Sequence, residues 1–236
     1  MTLPLLVSLP HAGLQVPEDL ATNCLLTPQQ IIADGDEFAA EIYGPLEGEV
    51  SRFVTTGIAR AVVDMNRDEH DIRKDGVVKT HTCWDEPIWK RPLTEAQIES
   101  LLARYHRPYH QRLSDAGERR ILLGVDCHTM AAVGPPVGPD PGVERPQVCL
   151  GDAGGEACPA SWVRVLQECF QSRFPGRVTR NEPFSGGYIT RHHGRERPWV
   201  QIEISRGDFA SPQQKATWVR EALADACNRI GALMDY

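Results

Sequence analysis

The sequence is poor in most features that would place it at once. Aromatic residues make up 7% of the 236, and no Lys/Arg stripe is interleaved with them, so a nucleic-acid partner is not expected. The net charge of −7 points the same way. No apolar run approaches the roughly 18 residues of a transmembrane span, so no membrane partner is expected. The first residues, MTLPLLVSLPHAG, are apolar but lack a basic n-region and an A-x-A site; they read as a strand rather than a signal peptide. Seven cysteines are scattered without C-x-x-C spacing and read as small buried hydrophobes in a reducing, cytoplasmic setting. GDAGGEACP, 151–159, has neither G-x-G-x-x-G nor a G-K-[ST] ending, which argues against nucleotide binding. With no internal repeat, low-complexity segment or linker, the chain is expected to form one domain over 1–236.

What is present is an alternation of apolar strands and amphipathic helices, the signature of an α/β fold. ILLGVDCHTM, 121–130, is apolar enough for a strand buried on both faces and ends in Asp126, Cys127 and His128. In an extended chain Asp126 and His128 point the same way. PLLVSLP, 3–9, is a second such run, ending at His11. IARAVVDMN, 58–66, reads as a third strand and WVQIEIS, 199–205, as a further one; FSGGYITR, 184–191, reads as a glycine hinge and a short strand. Helix starts are marked by Thr27-Pro28-Gln29-Gln30, Thr94 to Gln97 and Ser211-Pro212-Gln213-Gln214. The second of these opens a long helix to about Arg120, with Ile98, Leu101, Leu102, Tyr105, Tyr109 and Leu113 on its apolar stripe. His106 and His110 on it have a zinc-compatible spacing, but the glutamate of H-E-x-x-H is absent, and they read as surface or boundary residues. GPPVGPDPGVERP, 134–146, is a loop, either a lid or plain surface.

The polar residues on these strands are His11, Asp64, Asn66, Arg67, Asp126, His128 and Glu203. Glu203 lies between Ile202 and Ile204 and faces opposite to them. A buried carboxylate there needs a cation, a metal or a shared proton. Hydrolytic zinc takes three protein ligands, mainly His and carboxylate, and leaves one position for water. His11, His128 and one acidic residue meet that count, with Glu203 as the base. Arg67 and Asn66 offer a fork and an amide to a substrate carboxylate.

Several segments resemble the N-formylglutamate amidohydrolases: SLPHAG (8–13), the Asp in DGDEFAAEIY (34–43), ARAVVDMNR (59–67), DCHTM (126–130) and NEPFSGGYITRHHG…VQIEISR (181–206), in family order. The resemblance implies a single-domain α/β fold, a mixed central β-sheet flanked by helices, of the zinc-exopeptidase (phosphorylase/hydrolase-like) kind. It implies one catalytic Zn²⁺ and hydrolysis of the amide of an N-acyl amino acid, N-formyl-L-glutamate first. By it His11 and His128 match the metal histidines, Arg60 an arginine that polarises the scissile carbonyl, Asn66 and Arg67 the pair on the α-carboxylate, and Glu203 the general base. Tyr188 and Arg191 of the GGYITR stretch are counted with the substrate-binding residues. The carboxypeptidase ligand three residues after the first histidine is replaced by Leu14. The acidic ligand must come from elsewhere, and Asp36 fits the family motif better than Glu18. Another N-acyl amino acid, a peptide end or a non-catalytic zinc-binding role are the alternatives.

Overall fold

The computed structural model describes residues 2–115, 120–135 and 140–234. The chain begins with β1 (Leu3–Leu9), three short helices, α1 (Glu18–Ala21), α2 (Pro28–Asp34) and α3 (Ala39–Tyr43), and β2 (Val50–Thr55). An irregular stretch leads to α4 (Glu95–Leu101) and α5 (Arg107–Ser114), joined by a wide turn of π-helix at Leu102–His106. Then come β3 (Leu123–Met130), β4 (Val148–Gly151), α6 (Ala160–Gln171), β5 (Val178–Arg180), α7 (Tyr188–His193), β6 (Trp199–Ser205) and α8 (Pro212–Met234). The strands lie in the order β2-β1-β3-β6-β4-β5. β4 runs antiparallel to β6, and the other neighbouring pairs are parallel, so the sheet is mixed.

The alternation of side chains along each strand divides this sheet into two unlike faces. Leu5, Val7, Val125, Cys127, Val200, Ile202 and Ile204 share one face with a core that includes residues of α3, α6 and α8. The other face carries Leu6 and Trp199, packed with Leu101, Leu102, Tyr109, Leu113 and the stretch Ile58–Met65. Ser8, Asp126, His128, Gln201 and Glu203 share that second face by strand parity, and every one of them is buried. The central strands therefore read as apolar runs from one side and as a polar column from the other.

All three helix-start signals hold, Ser211 Oγ accepting from Gln214 N at 3.2 Å ahead of α8. Thr27 and Gln30, and Thr94 and Gln97, each exchange side-chain and backbone hydrogen bonds at the N-terminus of α2 and α4. Four expectations do not. Residues 58–66 are not a strand. They form a chain of turns, with Val62 N donating to Ala59 O and Arg67 N to Asp64 O, and touch other segments through single bridges at Ile58 and Val63. Their apolar side chains fill the second core as a strand's would, so composition alone could not separate the two. The stretch after Gly187 is helical, Tyr188–His193, where a strand was expected. The long helix stops at Ser114 rather than near Arg120; residues 116–119 of the expected span lie outside the described residues. Its wide turn moves the buried stripe from Tyr105 to His106, which is 3% exposed, so His106 is a core residue and not a surface or boundary one, while His110 is half-buried as a boundary residue is. Loop 134–146 is tied by Gly134 N to Val143 O and by an Arg145–Asp140 fork; its residues 136–139 lie outside the described residues.

Trp199 is seated through a glycine on the neighbouring strand. Gly124 pairs with Trp199 across β3 and β6, and a Cβ at Gly124 would lie 2.2 Å from Cδ2 of the indole. Gly124→Ala is expected to lower unfolding free energy by about 1–3 kcal/mol, as overpacking of a filled core does. Urea denaturation checks this, and an unchanged midpoint would show that the indole is free to move.

Candidate active site

β1 and β3 are neighbours, so the segments that follow or end them come together at one end of the sheet. His11 lies just beyond β1, and His128 on β3. Their rings sit edge to face with centroids 4.8 Å apart. Asp36 enters from the turn after α2. Its N–H donates to the carbonyl of His11 at 3.2 Å, and its Oδ2 accepts from Thr129 N at 3.3 Å. The backbone thus ties Asp36 to both histidine segments. Asp36 Oδ2 lies 2.9 Å from Nδ1 of His128 and 3.4 Å from Nδ1 of His11.

The far nitrogen of each ring faces another buried aspartate. His11 Nε2 donates to Asp64 Oδ1 at 2.8 Å, and His128 Nε2 is 3.0 Å from Asp126 Oδ2. Asp126 Oδ1 accepts from Ser8 Oγ at 3.0 Å. Asp64 also accepts from Arg60 Nε at 3.1 Å and from Asn66 N at 2.8 Å. This is the arrangement in which outer carboxylates fix the tautomer of metal-ligating histidines. Both Nδ1 atoms are left facing Asp36. Among the described residues His11, Asp36 and His128 form a buried group able to hold a metal ion. Glu18 is exposed and is not part of it.

The charge balance fits a cation. Asp36, Asp64, Asp126 and Glu203 are buried together, and Arg60 brings one guanidinium. Negative charge is therefore in excess of Arg60 unless the imidazoles are protonated or a cation lies among them. Burial opposes a charge on His128, yet Asp126 and Asp36 outweigh it and hold its imidazolium well above the usual range. Burial likewise opposes ionisation of Asp36, and His11 and His128 hold its carboxyl well below the ordinary carboxylate range. Burial and then His11 and Arg60 act in the same opposed way on Asp64, which is also held well below it.

Glu203 stands beside His128 on the next strand. Gln201, two residues back on the same face, donates from Nε2 to Glu203 Oε1 at 2.9 Å. The N–H of Gly187 donates to Gln201 Oε1 at 2.6 Å, which sets the amide's orientation. Burial pushes the Glu203 carboxyl up to about 7, against the opposing charge of His128. Gln201 was not anticipated; its even spacing from Glu203 on an apolar strand was the available signal.

The remaining expected residues divide into two groups. Arg60, besides holding Asp64, donates from Nη1 to Asp34 O at 2.9 Å. Asn66 Oδ1 accepts from Ile189 N at 2.8 Å, and its Nδ2 lies 3.2 Å from His128 Nε2, so its amide is engaged inside the protein. A Cβ at Gly187 would come within 2.3 Å of that amide, which requires glycine there. Arg67 is half-buried and turns to the 68–92 stretch, donating to Asp75 O at 3.2 Å. Tyr188 packs against His110 and His192 rather than the triad, and exposed Arg191 reaches Ser185 Oγ at 3.1 Å.

A mixed α/β sheet with imidazoles, aspartates and a raised glutamate toward the ends of its parallel central strands defines a hydrolase class of site. More narrowly, residues 3–209 match the N-formylglutamate amidohydrolase family, and the chain belongs to it. It is 28% identical over 238 residues to an N-formylglutamate deformylase of Pseudomonas putida, covering 94% of this chain and 87% of that one. The crystal structure of an N-formylglutamate amidohydrolase from Ralstonia eutropha JMP134 superposes with a TM-score of 0.75 at 20% identity, covering 99% of this chain and 95% of the other. A gene product of Agrobacterium tumefaciens gives 0.74 at 18%, covering 97% and 90%. These two structures share the fold.

Behind Asp36 lies a fully buried ion pair. Lys79 Nζ donates to both oxygens of Asp34, at 2.8 and 2.9 Å, and Cys83 N donates to Oδ1 at 2.6 Å. This pair pins the 68–92 stretch to the segment that presents Asp36. Lys79→Met strands a buried carboxylate and is expected to cost about 3–5 kcal/mol. Asp34→Asn with Lys79→Met keeps the Cys83 bond without the charge and should recover most of that in urea denaturation. A single variant as stable as the parent would remove the strut from the account.

Proposed function

We propose that the chain hydrolyses the formamide bond of N-formyl-L-glutamate to formate and L-glutamate. The observation that carries this is Glu203, a buried base beside a group of two Nδ1 atoms and one carboxylate, in a chain of this family. The Pseudomonas putida relative, a deformylase of that substrate by name, supports the choice of acyl amino acid.

A divalent cation held by His11, Asp36 and His128, zinc by its two-nitrogen, one-oxygen donor set, would supply the positive charge that acidifies a water and polarises the formyl carbonyl. Asp64 keeps Nδ1 of His11 unprotonated and aimed by holding that ring's proton on Nε2, and Asp126 stands beside the outer nitrogen of His128. Glu203 accepts the proton of the attacking water and returns it to the amide nitrogen as glutamate leaves. Gln201 holds one oxygen of Glu203, so the other is directed to the reaction. Arg60, fixed by Asp64, stands by the oxygen that gains charge. Arg67, freed from Asp75, takes the substrate α-carboxylate with the second N–H of the Asn66 amide, and Tyr188 and Arg191 border the place of the glutamyl side chain.

One equivalent of zinc is expected on the chelator-stripped protein, with a rise in Tm on binding. His11→Ala and Asp36→Ala should each lose it and Glu18→Ala keep it. Zinc uptake that survives in His11→Ala, measured by elemental analysis, contradicts the ligand set.

Glu203→Gln should keep fold, metal and substrate binding and lower kcat on N-formyl-L-glutamate by at least about 10²–10⁴. In the parent, kcat/KM should fall as pH drops through the Glu203 pKa, because the protonated acid cannot accept a proton. That limb lies below about 7, since a bound cation would lower the pKa that burial sets for Glu203. Near-parental kcat in a metal-loaded Glu203→Gln enzyme sinks the mechanism. Full activity on another N-acyl amino acid with none on the formyl compound replaces the substrate.

A further inference from the structure

Four of the chain's eight histidines, His106, His110, His192 and His193, gather away from the triad. The His106 and His110 rings are 4.4 Å apart, and those of His110 and His193 lie 9° from parallel with centroids 5.2 Å apart, as rings joined through their nitrogens do. His106 Nε2 donates to the carbonyl of Arg67 at 2.8 Å and His110 Nε2 to that of Met65 at 2.9 Å. These two carbonyls flank Asn66. Behind His110 the chain of contacts continues: its Nδ1 lies 2.9 Å from Nε2 of His193, and Nδ1 of His193 is 3.2 Å from Glu196 Oε2. Ser114 Oγ donates to Glu196 Oε1 at 2.7 Å and holds that carboxylate in place.

Three consecutive hydrogen bonds thus run from a carboxylate to a carbonyl through two imidazoles. Both ends only accept, so each bond must draw its proton from the rings. Two neutral imidazoles carry two N–H protons, and three bonds need three. Burial works against charge on both rings. It pushes His110 down to about 2, with His106 and His193 adding to the effect, and it lowers His193 as well, although there the Glu196 carboxylate opposes it. The third proton therefore belongs on His193, which is 0% exposed. His192, Arg197 and, more remotely, Asp126 also face this pair; Arg197 Nη1 is 3.7 Å from Glu196 Oε2. That guanidinium argues against a metal ion between His193 and Glu196.

We propose that Glu196, His193 and His110 form a proton-bearing relay that positions the Asn66–Arg67 turn, with His106 as its companion on the next carbonyl. The relay rests on the proposed function in one respect, that Asn66 and Arg67 hold the substrate α-carboxylate. It makes His110 and His193 positioning residues for substrate binding, acting through the backbone.

Two variants at His110 separate this from general packing. Gln carries an amide N–H to about the place of imidazole Nε2 and can restore the Met65 bond, and Phe cannot. His110→Phe is expected to raise KM for N-formyl-L-glutamate about tenfold with kcat little changed, as lost uniform binding does, and His110→Gln to recover most of it. Equal damage in both, or an unchanged KM in a folded Phe variant, overturns the relay. Substrate-free readouts stand if the parent does not cleave this substrate, which would defeat the proposed function alone. ¹⁵N spectra of the parent near neutral pH should show both nitrogens of His193 protonated and only Nε2 of His110. Amide exchange at Asn66 and Arg67 should quicken in His110→Phe. A singly protonated His193, or unchanged exchange, overturns the proposal.

Discussion

The structure is organised around one carboxylate placed between two imidazoles. Asp36 faces Nδ1 of His11 and of His128, and the outer nitrogens face Asp64 and Asp126, giving an alternating Asp–His–Asp–His–Asp row. Each member is buried. Buried like charges in that number are tolerable only when positive charge lies among them. Arg60 supplies part of it, and the proposed cation on His11, Asp36 and His128 would supply the rest. Nearly every local feature serves to hold this row. Ser8 fixes Asp126, Arg60 and Asn66 N fix Asp64, and the Lys79–Asp34 pair fixes the turn carrying Asp36.

The sheet makes such a row possible. Its parallel central strands are apolar on one face, where α3, α6 and α8 cover them, and polar on the other. Because β1, β3 and β6 are neighbours in register, the polar residues of all three fall side by side. Glu203 takes its raised pKa from that placement: it is buried with carboxylates nearby and has Gln201 rather than an arginine as its hydrogen-bond partner. Neither Arg191 nor Arg206 pairs with it, so a purely structural ion pair does not account for this glutamate.

Much of this was legible in the residues, for physical reasons that also mark where reading stops. Strands buried on both faces, 121–130 and 199–205, announce themselves by continuous apolar composition interrupted by Asp126, His128 and Glu203 at even spacing. Asp36 carries no such mark, because it sits on a turn whose place depends on how α2 and α3 pack; only the likeness to a family singled it out. The stretch 58–66 buries its apolar side chains through turns, and its composition imitates a strand. In Tyr188–His193 the helix follows two glycines and contains β-branched Ile189 and Thr190, which favour an extended reading. β4 and β5 are too short to show alternation. His106 was misplaced because a 3.6-residue period cannot anticipate the extra residue of a π turn, whereas His110 lies half-buried at the boundary.

The row of alternating aspartates and imidazoles is tested most directly by anomalous diffraction at the zinc edge from crystals of the zinc-loaded protein. The expected result is one strong peak bonded to Nδ1 of His11, Nδ1 of His128 and a carboxylate oxygen of Asp36, with Asp64 and Asp126 still on the outer nitrogens. A peak on the Nε2 atoms, or one placed at His192, His193 and Glu196 with the triad empty, would contradict it.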